Sequence, residues 1–470
     1  MELDIENTRT WSEFVFSQCN FKDKRLTKRL IQIGNQLSLH TGSSLLSSCE
    51  GDTSKIEGSY RLLRNKRVTA KQIGSGGYKA SAALAKSAST LLAIEDSTSL
   101  SYSHEVRKEL GLTGKHKKAY QRGYIVHSTL LVDADKERTL GLVAQERWCR
   151  EESNYGKSQN RKQIAYESKE SMKWENNTLH LEHLLEEHLS SVISVCDREA
   201  DIYEYLHYKC LMEQRFLVRA QHNRLLKMDN SYLFNKLQQE KSLGNYTIDI
   251  AQKGGRKKRQ ATIELKALQV TLTPPRRQVE GLDVLTPITL NALLAQEVNK
   301  GADEPLQWIL LTSEPITCLE DARTLTRYYE LRWKIEDFHK AWKSGVGAED
   351  QRMQSPDNLE KMVVILSFVA VRLLQLKEHF EHQGQSTSPE KEKPPCSILL
   401  SDIECKILWK ATENKEFPDN TPSAAWAYKA IAKLGGWNDS KKTGKAAWST
   451  VWKGFFRLRE RVEGYLVAVS

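Results

Sequence analysis

The chain has 470 residues, enough for roughly three domains of ordinary size. Hydrophobic residues make up 39% and charged residues 28%, so a buried core is feasible and global disorder is excluded. Seventy Lys and Arg against sixty Asp and Glu leave a formal charge of +10, which suits a polyanionic partner. The sequence has no apolar run near the roughly 20 residues of a membrane span, no signal-peptide pattern and no CxxC pair. These features predict a soluble intracellular protein with reduced cysteines and no membrane association.

Residues 1–69 are predicted to form a helical, basic domain. Apolar residues recur at helical spacing within 21–37: Leu26, Leu30, Ile33 and Leu37. Lys and Arg fill the other side of this helix, and a second predicted helix, 54–68, repeats the mixture. Two interpretations remain open on this pattern alone. The basic residues form either a solvated face or a surface that binds nucleic-acid phosphates.

From residue 90 the pattern changes to short runs rich in apolar and β-branched residues. A short apolar strand pattern within 88–100 ends in acidic and turn-forming residues, and further strands are predicted over 123–134, 138–149 and 191–196. A charged helix at about 165–189 precedes the last of them, and a helix with an acidic first turn is predicted to follow it. This order predicts a mixed α/β sheet.

The second half of the chain begins with further strand patterns. Residues 214–312 are predicted to form an antiparallel β insertion, placed at about 210–315 within a catalytic domain spanning 70–380. A strong helix over 318–345 follows, and then a mostly apolar and therefore buried helix over 356–380. Residues 381–470 are predicted to be a polar linker and a helical C-terminal domain.

Two acidic residues follow predicted strands. Asp96 comes just after the apolar run LLAIE, and Asp197 comes just after SVISVC. Ligands of open α/β sheets usually bind where strands end, so both are candidate site residues. The alternative for each is an ordinary turn or helix-cap residue. Glu95 and Glu199 are close neighbours of these acids, but adjacent strand residues face opposite ways.

A third acid, Glu336, lies in the predicted helix over 318–345. At about 100° per residue, one narrow face of this helix carries a hydroxyl, a guanidinium, a carboxylate and an ammonium, from Tyr329, Arg332, Glu336 and Lys343. The alternative is a salt-bridged surface face, since Arg332 precedes Glu336 by four residues. Three carboxylates from separate elements can hold two Mg²⁺ ions for an in-line displacement at phosphorus.

These segments resemble a family. The chain is similar to bacterial cut-and-paste DDE transposases of the transposon-five type, in the insertion-sequence-four superfamily. The signature Y-x₂-R-x₃-E-x₆-K is met in full by the four residues of that helix face. Other matching segments are EGSYRLLRN (57–65), LLAIEDSTSLSYSHE (91–105), RGYIVHSTLL (122–131), VCDREADI (195–202), RFLVRA (215–220), LQWILLTSEP (306–315), SPDNLEKMVVILSFVAVRLLQL (355–376) and AIAKLGGWNDSKKTG (430–444).

The resemblance implies a ribonuclease-H-like catalytic core whose acids are Asp96, Asp197 and Glu336. These would bind two Mg²⁺ or Mn²⁺ ions per active site, cut the ends of a mobile element through a hairpin intermediate, and join the 3′ ends to target DNA. The implied DNA contacts are Tyr329, Arg332, Lys343, Trp308, Trp333, Arg219, Arg122, Arg29, Arg61, Arg352, Asn358 and Lys441. Trp308 would stack on a flipped base, with Trp333 beside it. The implied partners are double-stranded DNA, as inverted-repeat ends and as target, and a second copy paired through the C-terminal helix in the synaptic complex. The implied location is the bacterial cytoplasm, at the nucleoid.

The sequence departs from the family pattern at two places, and two alternative functions remain. Leu39 and His40 stand where the family has an end-contacting Lys–Tyr pair, which predicts a different end sequence, and Gln221 replaces an expected lysine. One rival is a catalytically silent DNA-binding inhibitor of transposition, and the other is a metal-dependent structure-selective nuclease. The intact acids argue against the first, and the Trp308 segment argues against the second.

Overall fold

The computed structural model describes residues 7–114, 121–150, 169–227, 231–250, 259–275, 285–298, 305–385, 395–398, 400–440 and 446–469. Within these ranges the α-helices are α1 (Thr8–Phe16), α2 (Lys24–Leu39), α3 (Leu45–Ser48), α4 (Thr53–Arg64), α5 (Ala70–Ala82), α6 (Lys173–Leu185), α7 (Tyr203–Leu211), α8 (Leu233–Gln239), α9 (Leu319–Leu331), α10 (Trp333–Lys340), α11 (Pro356–Gln385), α12 (Asp402–Glu413), α13 (Ala424–Leu434) and α14 (Trp448–Val469). The strands are β1 (Leu91–Tyr102), β2 (Arg122–Asp133), β3 (Arg138–Trp148), β4 (Val192–Cys196), β5 (Arg215–Arg219), β6 (Ser242–Ile250), β7 (Arg259–Leu272), β8 (Ile288–Glu297) and β9 (Gln307–Thr312).

All of these strands belong to one mixed sheet, in the order β3-β2-β1-β4-β5-β9-β8-β7-β6. Strands β1, β2 and β3 are antiparallel neighbours, whereas β4 and β5 run parallel to β1. Helix α6 lies in the connection from β3 to β4, and α7 links β4 to β5. The predicted mixed α/β sheet is confirmed.

The predicted β insertion needs a correction at its start. The pattern RFLVRA was assigned to it, but β5 pairs in parallel with β4 through Ile193 opposite Arg215. Strand β5 therefore continues the parallel part of the sheet. The antiparallel strands begin with β6, and β9 joins them to β5 through Val218 opposite Leu311. The insertion extends the same sheet, because β6 to β9 pair edge to edge with it.

The two faces of β1 pack against different elements. Leu92 and Ile94 belong to the core that includes α9, α10 and α11, whereas Leu91 and Ala93 pack with Leu181 of α6. Side chains alternate across a strand, so even-numbered residues of β1 face the first group and odd-numbered residues face the second. Asp96 therefore faces α9, α10 and α11, whereas Glu95 and Ser97 face α6.

Helix α11 is the central buried helix, as its apolar sequence predicts. Its residues from 361 to 376 are almost all buried, and they pack against α5 and β3. A glycine permits the close approach of α5, because a Cβ on Gly77 would lie 2.2 Å from Cζ of Phe368. The N-terminal helices share this core through Trp11, Phe16 and Leu30. They are therefore packed firmly against the sheet domain.

The C-terminal helices have a core of their own. Leu408 of α12, Ile431 of α13 and Val451 of α14 are buried together. The end of α14 differs, since Tyr465, Leu466, Val467 and Val469 are 48–77% exposed. None of the helices within the described ranges is long and apolar enough to cross a lipid bilayer.

Candidate active site

The register of the sheet places Asp96 and Asp197 side by side. The last parallel pair of β1 and β4 is Glu95 opposite Cys196, and each acid is the next residue along the chain. Neighbouring strands are about 4.8 Å apart, so the two carboxylates emerge close together. The sequence placed Asp96 at the end of its strand, and this was wrong. Strand β1 continues to Tyr102, and Asp96 lies in its middle, at the point where β4 ends.

Backbone N–H groups orient both carboxylates. The amide of Ser97 donates to Oδ1 of Asp96 at 2.8 Å, and the amide of Glu199 donates to Oδ1 of Asp197 at 2.8 Å. Asp197 is also the N-cap of a short 3₁₀ turn, as its alternative interpretation expected. A capping role and a place in the site are therefore compatible for this residue.

Arg332 brings Glu336 to the same place. Its Nη2 donates to Oε1 of Glu336 at 2.7 Å, and its Nη1 lies 3.8 Å from Oδ2 of Asp96. The Arg332 side chain is only 12% exposed. The i, i+4 ion pair expected from the sequence is present, but it faces the sheet. Glu336 thus lies at the site and not on a solvated surface.

The charges of the three acids are coupled. Burial, and after it the charge of Asp197, raise the pKa of Asp96 to about 7, against the opposing effect of Arg332. The Glu336 carboxylate contributes a smaller increase. Ionised carboxylates that are buried beside one another repel, and the single guanidinium of Arg332 does not balance their negative charge at neutral pH.

The donor set fits a hard divalent cation. Carboxylate oxygens are the ligands that Mg²⁺ and Mn²⁺ prefer, and the raised pKa of Asp96 reflects a deficit of positive charge that a cation would relieve. In the ranges that the structure describes, however, no three His, Cys, Asp or Glu side chains are arranged to hold a metal ion. The guanidinium of Arg332 contacts two of the three acids instead.

An aromatic and basic group lies beside the acids. Tyr329 is 4% exposed, lies near Arg219 of β5, and meets Trp308 of β9 edge to face at 5.3 Å. Trp333 is 51% exposed, with Cζ of Arg332 5.8 Å from its ring centre. Burial raises the pKa of Tyr329, so this phenol stays protonated. The structure thus brings four of the predicted DNA contacts together beside the acids: Tyr329, Arg219, Trp308 and Trp333.

Lys343 departs from the predicted helix face. The helix expected over 318–345 is interrupted at Arg332, and its last turn, Ala341–Gly345, is π-helical. A π turn is wider than an α turn, so the angle calculated at 100° per residue does not apply there. Nζ of Lys343 lies 3.7 Å from Oε1 of Glu349, which also accepts from the amide of Ser101 on β1. Lys343 therefore lies towards the end of β1.

The remaining predicted DNA contacts that the structure describes lie in separate parts of the fold. Arg61 and Arg352 are exposed, and Arg29 packs its guanidinium against Gly58 of α4. Arg122 donates to the carbonyl of Leu110 at 2.8 Å, and Asn358 is half-buried at the start of α11. Lys441 lies outside the described residues.

Sequence reasoning missed Lys173, the first residue of α6. Its Nζ donates to Oγ of Ser97 at 2.7 Å and to Oε2 of Glu199 at 3.1 Å. These are the two residues whose amides hold Asp96 and Asp197. No local pattern marks Lys173, because its partners are 76 and 26 residues away along the chain.

Comparisons with known proteins agree with the sequence motifs. A family model described as transposase DNA-binding matches residues 8–68, and one described as transposase DDE domain matches residues 177–372. The second match includes Asp197 and Glu336, whereas Asp96 precedes it. A solved structure of a piggyBac transposase synaptic complex with hairpin DNA is 11% identical, with a TM-score of 0.32 over 82% of this chain and 68% of that chain.

Proposed function

Because the chain is a DDE transposase, with a transposase DNA-binding domain ahead of its DDE domain, we propose that Asp96, Asp197 and Glu336 are its catalytic acids. The observation that carries this proposal is that Asp96 of β1 neighbours Asp197 at the end of β4, while Arg332 joins Asp96 to Glu336 of α10. The substrate is double-stranded DNA at the inverted-repeat ends of a mobile element. The products are cut ends whose 3′-hydroxyls are then joined to target DNA.

The same strands support a ribonuclease-H-like core. That fold pairs three antiparallel strands with two parallel ones, which corresponds to the order β3-β2-β1-β4-β5 here. On this basis we divide the chain into an end-recognition domain at 1–69, a catalytic domain at 70–380 and a C-terminal domain at 381–470. We assign the chain to the transposon-five type of transposase on the basis of its Y-x₂-R-x₃-E-x₆-K signature.

The three acids would hold two Mg²⁺ or Mn²⁺ ions. Such a pair activates a water or a 3′-hydroxyl and stabilises the leaving oxygen of an in-line displacement. Arg332 contacts Asp96 and Glu336 now, and it would turn to the DNA phosphates when the acids take up cations. Lys343 and Arg219 would hold further phosphates of the end.

Trp308 and Trp333 support a hairpin intermediate. Making a hairpin requires the terminal bases to unstack, and an aromatic ring can take up a displaced base. Trp333 is exposed beside the acids, and Trp308 is fixed by Tyr329. The basic residues of α2 and α4 would bind the end sequence, and Arg29 and Arg61 are the proposed contacts among them. Arg122, Arg352, Asn358 and Lys441 are proposed as further DNA contacts.

A second copy of the chain is the proposed protein partner in the synaptic complex. The support is the exposed apolar end of α14, where Leu466 and Val467 are 48% and 77% exposed. Complementary contacts there would bury this surface between two subunits. In a bacterial cell the complex would act in the cytoplasm, at the nucleoid.

The test is a cleavage assay on DNA that carries the sequences flanking this gene. Wild type and Glu336→Ala are compared with and without Mg²⁺, and Glu320→Ala serves as a control because Glu320 is exposed at the start of α9. Metal-dependent hairpins and strand-joined products, lost only in Glu336→Ala, are expected. Binding without cleavage by the wild type would favour the silent inhibitor, and nicks without joined products would favour the nuclease. Equal cleavage by Glu336→Ala would exclude it as a catalytic acid.

A further inference from the structure

The two neighbouring acids are each held by the amide of a nearby residue. Ser97 follows Asp96 directly, and Glu199 follows Asp197 by two residues. An oriented carboxylate binds a cation better than a mobile one, since less freedom is lost on binding. The side chains of Ser97 and Glu199 therefore matter, because they fix the backbone that orients the acids.

Lys173 joins these two side chains from the other face of the sheet. Its Nζ donates to the Ser97 hydroxyl at 2.7 Å and to the Glu199 carboxylate at 3.1 Å. The lysine side chain is 12% exposed, and its Nζ lies 5.1 Å from the ring centre of Trp174. A single ammonium group thus connects the segment after Asp96 with the segment after Asp197.

The Ser97 hydroxyl has a second partner that fixes its direction. Its Oγ lies 3.0 Å from Nδ1 of His127, and Nε2 of His127 lies 3.2 Å from Oε2 of Glu95. Since Lys173 can only donate, Ser97 accepts from it and donates its own hydrogen to His127. His127 then donates from Nε2 to Glu95, and both of these residues are buried. A continuous chain of hydrogen bonds therefore runs from the buried Glu95 through His127, Ser97 and Lys173 to Glu199.

We propose that Lys173 is a positioning residue that sets the placement of Asp96 relative to Asp197 for binding of a divalent cation. This inference rests on the proposed function, in which those acids hold the cation. The lysine itself lies behind the site, on the α6 face of β1, because odd-numbered β1 residues face that side.

The charge of Lys173 and its positioning role have opposite effects on the affinity for a divalent cation, so a substitution of Lys173 distinguishes them. Removing an ammonium near carboxylates strengthens cation binding if the lysine acts only through its charge. Removing it weakens cation binding if the lysine holds the acids in place. Loss of such a supporting contact typically costs about 10-fold to 100-fold in metal affinity.

The experiment measures Mn²⁺ binding to the full-length, DNA-free protein, by the loss of the free Mn²⁺ electron paramagnetic resonance signal. Lys173→Met removes both bonds, and Ser97→Ala removes the acceptor while keeping the charge of Lys173. Lys136→Met is the matched control, because Lys136 is exposed in the turn after β2, beyond the Leu91–Asp133 end of the β1–β2 ladder. Thermal unfolding in EDTA shows whether each variant is folded, and binding of end DNA in EDTA is measured in parallel.

Both Lys173→Met and Ser97→Ala are expected to bind Mn²⁺ about 10-fold more weakly, with Lys136→Met and end-DNA affinity unchanged. Unchanged or tighter Mn²⁺ binding by the two variants overturns the inference. So does weaker DNA binding with unchanged Mn²⁺ affinity, which would make Lys173 a phosphate contact. If Lys173→Met does not fold, the result with Ser97→Ala decides. Failure of the proposed function looks different, since Glu336→Ala and Asp96→Asn would then bind Mn²⁺ as the wild type does.

Discussion

Arg332 and Glu336 lie one helical turn apart and are joined by a hydrogen bond of 2.7 Å from Nη2 to Oε1. The same guanidinium reaches to within 3.8 Å of Asp96. Arg332 therefore links two acids from elements that are 240 residues apart in sequence. A lysine carries the same charge but cannot present two donors in a planar fork.

Arg332→Lys is expected to bind end DNA close to wild-type affinity and to cut it more slowly. The loss follows because a lysine orients Glu336 and Asp96 less well before cations bind and offers the DNA phosphates no planar fork afterwards. Its size is on the order of 10-fold to 100-fold. Single-turnover cleavage at saturating DNA measures it. A wild-type rate in Arg332→Lys would show that charge alone suffices at this position.

Asp96 makes the metal-free protein less stable as the pH rises. Its folded pKa is raised to about 7, above the ordinary value of 3.8, so between these values the folded state keeps a proton that the unfolded state has lost. Stability therefore falls from about pH 4 to pH 7 and is constant above that range. Asp96→Asn removes this effect and is expected to stabilise the protein in EDTA by on the order of 2–4 kcal/mol at pH 8.

Chemical denaturation of wild type and Asp96→Asn at pH 5 and pH 8 measures this difference. The gain is expected to shrink towards pH 4, where the wild-type carboxyl is protonated in both states. Added Mg²⁺ is expected to stabilise the wild type more than Asp96→Asn. An equal advantage at both pH values would mean that Asp96 does not titrate in this range.

Trp333 is expected to act on DNA and not on the fold, since half of its surface is exposed. Trp333→Ala should leave the free energy of unfolding within about 0.5 kcal/mol of wild type. It should lose about 1–3 kcal/mol of base stacking at the distorted end. The fluorescence of 2-aminopurine at the terminal base reports unstacking. Tyr232→Ala is the control, because Tyr232 is also exposed but lies before α8. The same fluorescence rise in wild type and Trp333→Ala would assign the displaced base to another side chain.

Lys361 fastens the N-terminal helices to α11. Its side chain is fully buried, and Nζ donates to the carbonyls of Leu63 and Asn65 at the end of α4 and to Asp357. Lys361→Met leaves these carbonyls without their donor, at about 1–3 kcal/mol for each buried group left unpaired. Denaturation with urea is expected to show this loss, and Lys136→Met is expected to show none. Two separate unfolding transitions in Lys361→Met would mean that the N-terminal helices unfold by themselves.

Much of the local structure could be predicted from the sequence. The helical stripe of α2 is buried at Leu30, Ile33 and Leu37, and the apolar segment at 356–380 is the central helix. The signature placed Arg332 four residues before Glu336, which is one turn of any α-helix. Such features follow from spacing within one element, because spacing decides which residues share a face.

The length of β1 could not be predicted in the same way. The polar residues after LLAIE suggested an end to the strand, yet Asp96 to Tyr102 pair with β2. Their hydrogen-bond partners come from a segment that lies 20 to 32 residues further along the chain. Strand β5 was likewise assigned to the wrong group of strands, because a short apolar run does not record whether its neighbour runs parallel or antiparallel.

The sequence by itself determined the kinds of elements, and its motifs predicted the three acids and the signature that carries Glu336. Only the tertiary structure decided that Asp96 meets Asp197 across β1 and β4, and that Lys173 bridges the residues beside them. The physical reason is that periodicity specifies which face of one element is buried. Strand register and helix packing, which bring residues from distant segments together, depend on the fit of whole surfaces and leave no spacing in the chain.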